Sequence, residues 1–115
     1  MTAQVHIFTF SGVIAFPRIG GNDLTHSVVQ AIKFPLMGRD LLSCTTGAAD
    51  TSEASAAPAG TAAVWVQVEQ GKRVRFELTP AGQTLLVAGA TSPILAGETQ
   101  LQFGHGWRIS VLEAV

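Results

Sequence analysis

The chain has no tyrosine, one cysteine (Cys44), two lysines (Lys33 and Lys72) and only 13% charged residues among its 115. Each shortage closes a class of chemistry. One cysteine allows neither an intrachain disulfide nor a thiolate metal cluster. A lone thiol following Leu41 and Leu42 reads as a small buried apolar side chain rather than a nucleophile. A formal net charge of −1 supplies no basic field for nucleic acid. No apolar run is long enough for a membrane-spanning helix, and no charged-then-apolar leader opens the sequence. The expected partners therefore include neither nucleic acid nor membrane. Typical globular chains carry about 25% charged residues. A chain with about half that share and 47% hydrophobic residues is expected to turn part of its surface towards a partner rather than water. It reads as an oligomer, or as a subunit docked on something larger.

What is present is strand grammar. Helical periodicity is nearly absent, and β-branched residues recur between Gly, Pro, Asn and Asp punctuation. "AQVHIFTF" (3–10) sets His6, Phe8 and Phe10 on one face and Val5 and Ile7 on the other, so it is expected to be covered on both sides. "GVIAF" (12–16) is a strand closed by Pro17, and 18–23 is a loop. Residues 23–34 are ambiguous. Leu24, Val28 and Ile32 have helical spacing, with Asn22 or Asp23 to cap it, whereas His26, Val28, Gln30, Ile32 and Phe34 alternate. The β-branched content favours a strand. "RDLLSCT" (39–45) is a short strand, and Ala, Ser, Thr and Gly dominate a flexible loop at about 46–62.

The second half is clearer. Val64, Val66 and Val68 share a face, as do Val74, Phe76 and Leu78. Joining them as a hairpin through Gln70-Gly71-Lys72 pairs Val68 with Val74 and Glu69 with Arg73. "TLLVA" (84–88) reads as a central strand, 94–98 as a short strand and turn, and 99–103 and 107–114 as the last two strands. A turn at Gly104-His105-Gly106 pairs Phe103 with Trp107, Leu101 with Ile109 and Thr99 with Val111, putting the large apolar residues on one face. At least one of its glycines must then take a positive φ. The expectation is a single all-β domain over 1–115: an antiparallel β-sandwich, jelly-roll-like, of about eight short strands, with a small barrel as the alternative.

Catalytic constellations do not emerge. His6, His26 and His105 form no paired-ligand motif, and no G-x-S-x-G or phosphate-loop lysine occurs. Glu69 and Glu77 each have an arginine nearby and read as members of surface ion pairs rather than a glycosidase pair. No catalytic, cofactor-binding or metal residue is expected. Trp65 lies opposite its valine neighbours beside Gln67 and Glu69. It is expected to pack on the other sheet or a neighbouring subunit; as an exposed platform it could stack a sugar. The loops around Arg18 and Ile19, and around Phe34, Leu36, Met37 and Arg39, mix apolar groups with isolated arginines. That combination suits an interface.

One resemblance can be placed. "VWVQVEQGKRVRFEL", "SPILAGE" and the closing "GWRISVLEA", with Leu95, Ala96, Gly97, Phe103, Gly106, Ile109 and Val111 in sequence, resemble small β-rich virion proteins of tailed bacteriophages, of the capsid decoration, head and neck type. The resemblance covers about residues 61–115. It implies a non-enzymatic structural protein without cofactor, made in the host cytoplasm and carried on the capsid surface. Its partners would be the major capsid or another virion protein and its own copies, in a homo-oligomer such as a trimer. The alternative is a glycan-binding β-sandwich module of a phage fibre or similar assembly.

Overall fold

Alternation along the first strand decides where the core lies. In β1 (Ala3–Phe10) the residues Ala3, Val5, Ile7 and Thr9 are buried, while His6 between them is exposed. The computed structural model describes residues 2–17, 28–32 and 35–114, with 13–17 and 28–32 described by backbone alone. Besides β1, its strands are β2 (Val13–Pro17), β3 (Val28–Ile32), β4 (Gly38–Cys44), β5 (Asp50–Thr51), β6 (Ala63–Val68), β7 (Val74–Thr79), β8 (Ile94–Leu95), β9 (Glu98–Gln102) and β10 (Arg108–Glu113). A 3₁₀ turn at Ala54–Ala56 is the one helical element described.

The strands form two antiparallel four-stranded sheets, ordered β4-β1-β6-β9 and β5-β10-β7-β8, and a separate ribbon of β2 and β3. The expected all-β sandwich is therefore observed, and the sheets do not close into a barrel. Its pairings nest: β7 with β8, β6 with β9, β5 with β10, and outermost β4 with β1. Such a wound series of antiparallel pairs is the plan of a jelly roll. The slot beside β4 that a strand following β10 would take is filled by the first strand of the chain. Val5, Ile7, Leu42, Cys44, Val64, Val66 and Val68 from one sheet meet Val74, Leu95, Ile109 and Val111 from the other. Phe103, Phe76, Leu78 and Trp107 complete the core. Burying a side chain of this size stabilises by about 1.5–3 kcal/mol relative to leaving it in water.

Both inferred hairpins are corrected. β6 and β7 belong to opposite sheets, as do β9 and β10. Val64, Val66 and Val68 do share a buried face, and Val74, Phe76 and Leu78 do point to the same core, but they meet across the sandwich instead of along a ladder. Alternation fixes which side chains turn inward. It cannot distinguish a partner beside a strand from one ten ångströms in front of it. The turns are accordingly corners between sheets: Lys72 N–H donates to Glu69 O at 3.0 Å, and Trp107 N–H to Gly104 O at 3.1 Å. Glu69 accepts from Gln4 N–H, and Glu77 accepts from the Ser92 hydroxyl. Gly106 takes the required positive φ, +74°.

The expected strand at 84–88 does not form. This segment is a strap over the outer face of the second sheet. Leu86 N–H donates to Thr79 Oγ1 (2.9 Å) and Ala88 N–H to Ser110 Oγ (3.0 Å). Hydroxyls on β7 and β10 thus satisfy backbone donors that a neighbouring strand would otherwise take, and Leu86 and Val87 stay exposed. Beyond it, Ser92 Oγ accepts from Gly89 N and donates to Glu77 Oε1, while Arg75 donates to Ser92 O.

The Ala- and Ser-rich stretch makes specific contacts. Ser52 bonds Ile109 through both its backbone N–H and its hydroxyl, Ala57 is buried, and Ala56 O accepts from Thr9 Oγ1.

The ribbon continues the longest ladder. β1 pairs with β4 from Ala3↔Cys44 to Thr9↔Gly38, and β2 pairs with β3 from Val13↔Ile32 to Pro17↔Val28. One antiparallel hairpin thus runs out of the sandwich. The strand preference for 23–34 is met at Val28–Ile32; the remainder of that segment lies outside the described residues. The molecule measures 52 × 32 × 22 Å, with a radius of gyration of 15.7 Å, against about 13 Å for a compact chain of this length.

Candidate functional site on the outer sheet face

The site grows out of β1, the strand with apolar residues on both faces. Its inward residues fill the core. Its outward residues His6 and Phe8 remain uncovered, His6 exposed and Phe8 half-buried, so the expectation that both faces are covered fails at these two positions. Phe10, next on the same alternation, is fully buried.

Register then sets the neighbours. Phe8 lies opposite Arg39 of β4 on one side and Trp65 of β6 on the other, and Trp65 lies opposite Gln100 of β9. The row across the sheet reads Arg39, Phe8, Trp65, Gln100. Two residues along, a second row reads Leu41, His6, Gln67, Glu98. The Phe8 and Trp65 ring centroids are 5.8 Å apart with planes at 48°, and the His6 ring lies nearly parallel to Phe8 at 6.0 Å. Gln67 Nε2 donates to Glu98 Oε1 at 2.9 Å, fixing the amide and leaving its oxygen free to accept. Leu41 is half exposed. A shallow groove of about 510 Å³ runs beside this surface, lined by His6, Phe8, Arg39, Asp40 and Leu41. Asp40 is committed locally: its carboxylate accepts from Leu41 N and Glu53 N.

Trp65 thus stands on the outer face, half-buried, turned away from the second sheet; packing on that sheet is excluded as its role. Of the proposed interface residues, Leu36 is half-buried, Met37 is exposed and Arg39 is exposed on the aromatic row; Arg18, Ile19 and Phe34 lie outside the described residues. Phe8 and His6 join Trp65 only through the β1–β6 register. Sequence reasoning placed them on one face of their own strand but held no signal for the neighbour.

The other chemical candidates resolve into structure. Cys44 is buried, its thiol pushed above the ordinary range by burial first and then by the negative fields of Glu113 and Asp50. Its Sγ donates weakly to Ala3 O at 3.7 Å. Glu113 is buried with one carboxylate oxygen 3.3 Å from Lys72 Nζ and the other without a partner. His105 is exposed at its turn, and its Nδ1–H donates to Ala57 O at 3.0 Å while Gly106 N–H donates to the same oxygen. Among the described residues no three His, Cys, Asp or Glu side chains gather as a metal site would require.

Comparison with protein-family models, with curated proteins and with solved structures finds no match. The apolar and glycine residues singled out in the second half of the sequence have a structural meaning of their own. Leu95, Phe103, Ile109 and Val111 are all buried in the core, and Gly97 and Gly106 take positive φ at corners.

Proposed function

We propose that the chain is a non-enzymatic structural subunit of a virion, a capsid decoration or cement protein that binds the shell and its own copies. The observation that carries this reading is the β2–β3 ribbon. Neither strand, VIAFP or VVQAI, contains a charged residue, and the ribbon prolongs the β1–β4 ladder while pairing with no other described strand. A lone two-stranded ribbon is marginally stable in water, and among the described strands neither of its edges has a partner, so both are open to another chain. Such an element gains most when it lies against a partner. Met37, the residue before β4, is apolar and exposed. The low charge of the whole chain, net −1, leaves little like-charge repulsion to oppose contact between copies.

Two measurements test the reading. Sedimentation velocity of the full chain is expected to show a concentration-dependent oligomer, and co-sedimentation with phage shells lacking the protein to show saturable binding. A variant with residues 13–32 replaced by a short Asn-Gly turn should keep the sandwich fold by circular dichroism and lose both properties. A full chain that stays monomeric at high concentration and fails to bind such shells overturns the proposal.

A further inference from the structure

We propose that the outer face of the β4-β1-β6-β9 sheet is a binding site for a short, neutral, pyranose-based oligosaccharide lying across the strands along the row Arg39, Phe8, Trp65, Gln100. This goes beyond the assembly reading and does not depend on it, because it uses a different surface.

Size is the first argument. The row crosses four strands spaced about 4.8 Å apart, and the second row lies about 7 Å away, so the patch is roughly 14 Å by 7 Å. These two rows alone supply far less than the roughly 800 Å² that a stable protein–protein interface takes from each partner. A few sugar rings in a line fit it.

Composition is the second argument. A pyranose has an apolar face of C–H groups and a rim of hydroxyls. The patch has the complementary arrangement: aromatic rings Phe8 and Trp65 at the centre, and hydrogen-bonding groups at both ends and along one side. Arg39 and Gln100, both exposed, close the two ends of the row. His6 and Gln67 flank the aromatic pair, and the amide of Gln67 is already oriented by Glu98. An aromatic ring loses little conformational freedom on binding, and an amide fixed by a neighbour has paid that ordering in the folded state. The groove beside His6, Phe8 and Leu41 gives a second sugar face somewhere to settle.

Charge is the third argument. Arg39 is the one fixed cation in the two rows, and Glu98 stands at the opposite side of the second. One cation set against one carboxylate selects neither a phosphate backbone, which calls for clustered Lys and Arg, nor a polyanionic glycan. A neutral saccharide suits the balance.

The test uses the full chain and a panel of soluble hexasaccharides, namely cello-, malto-, manno- and chitohexaose, followed by titration calorimetry. At least one is expected to bind with a Kd between about 10⁻⁵ and 10⁻³ M, equivalent to about 4–7 kcal/mol. Binding should shift the fluorescence of Trp65 in a Trp107→Phe background. Trp65→Ala and Phe8→Ala should each weaken binding tenfold or more, and Arg39→Ala and Gln100→Ala severalfold, with thermal unfolding unchanged for the exposed pair. Absence of binding across the panel at millimolar sugar overturns the proposal. So does binding that survives Trp65→Ala in a folded variant, which would place the sugar elsewhere. Self-association abolished by Trp65→Ala would assign the face to a second copy and overturn it too.

Discussion

Gly38 shows how a single residue without a side chain positions two segments. Its φ is not in the left-handed region, so backbone freedom is not the reason for glycine. Space is. A Cβ at this position would lie 2.7 Å from Ala56 O, 2.9 Å from Thr9 Oγ1 and 3.3 Å from Pro58 Cδ. The first of these is backbone and cannot rotate away, and the second makes the hydrogen bond that ties β1 to the 3₁₀ turn. Gly38→Ala is therefore expected to destabilise the fold by about 1–3 kcal/mol, the usual cost of overpacking. Gly47→Ala supplies the contrast, since nothing lies within 4 Å of a Cβ there; its effect should stay within about 1 kcal/mol of neutral and can be stabilising through the unfolded chain. Chemical denaturation of both variants checks the difference. Equal effects would mean that Gly38 is not held by contact with Ala56. Nothing in the sequence around Gly38 announces this role, because its neighbours come from residues 18 and more positions away.

At the scale of elements, the legible and the illegible separate along one physical line. Strand positions, inward faces and turns were readable because each depends on a few consecutive residues: Val64, Val66 and Val68 alternate whatever lies beside them. Pairing was not readable, because β6 takes its hydrogen bonds from β1 and β9, far away in sequence. Two valine-rich runs joined by a Gly-containing turn look alike whether they form a hairpin or a corner between sheets. The same blindness hid the aromatic row, which exists only because Phe8 falls opposite Trp65. The strap at 84–92 fails for a related reason. "TLLVA" is apolar enough for a buried strand, yet two hydroxyls on strands downstream and upstream capture its donors. Ser110 is fully buried, so Ser110→Ala leaves the N–H of buried Ala88 unpaired, at a cost of about 1–3 kcal/mol. Limited proteolysis should then cut within 84–91 markedly faster than in the parent chain, whereas Ser43→Ala, an exposed position, should leave the rate unchanged. A strap equally resistant in Ser110→Ala would show that Thr79 and Ser92 hold it without Ser110.

Across the whole molecule, the unusual feature is the source of the strand beside β4. The nest of pairs β7–β8, β6–β9 and β5–β10 asks for its outermost partner to follow β10, and the first strand supplies it. If the slot is defined by its neighbours and not by connectivity, β1 should work equally well from the other end of the chain. The geometry permits the transfer. Ala3 pairs with Cys44, the adjacent Thr45 O accepts from Glu113 N, and Gln4 O accepts from Glu69 N beside the turn that holds Ala114 through Arg73 O. Residues 3 and 114 therefore meet at one end of the sandwich, within about two strand spacings, or roughly 10 Å. A linker of about six residues, each spanning up to about 3.3 Å, covers this. A circular permutant beginning at Gly12 and carrying residues 2–11 after Ala114 is expected to fold cooperatively, with stability within about 2 kcal/mol of the parent, because loop-closure entropy changes only slowly with length. It would leave the β2–β3 ribbon at the new amino terminus, joined to the sandwich only through the chain leading into β4, with the break placed between Ser11, an exposed position, and Gly12. Thermal unfolding by circular dichroism reads the result. A second permutant with the same linker, opened at Gly47 instead, keeps β1 joined to β2 and isolates the effect of the linker. If that one folds and the Gly12 permutant does not, then β1 reaches its slot only through its covalent link to the ribbon, and the long hairpin from Ala3 to Cys44 is the unit that folds first, with the jelly roll closing around it.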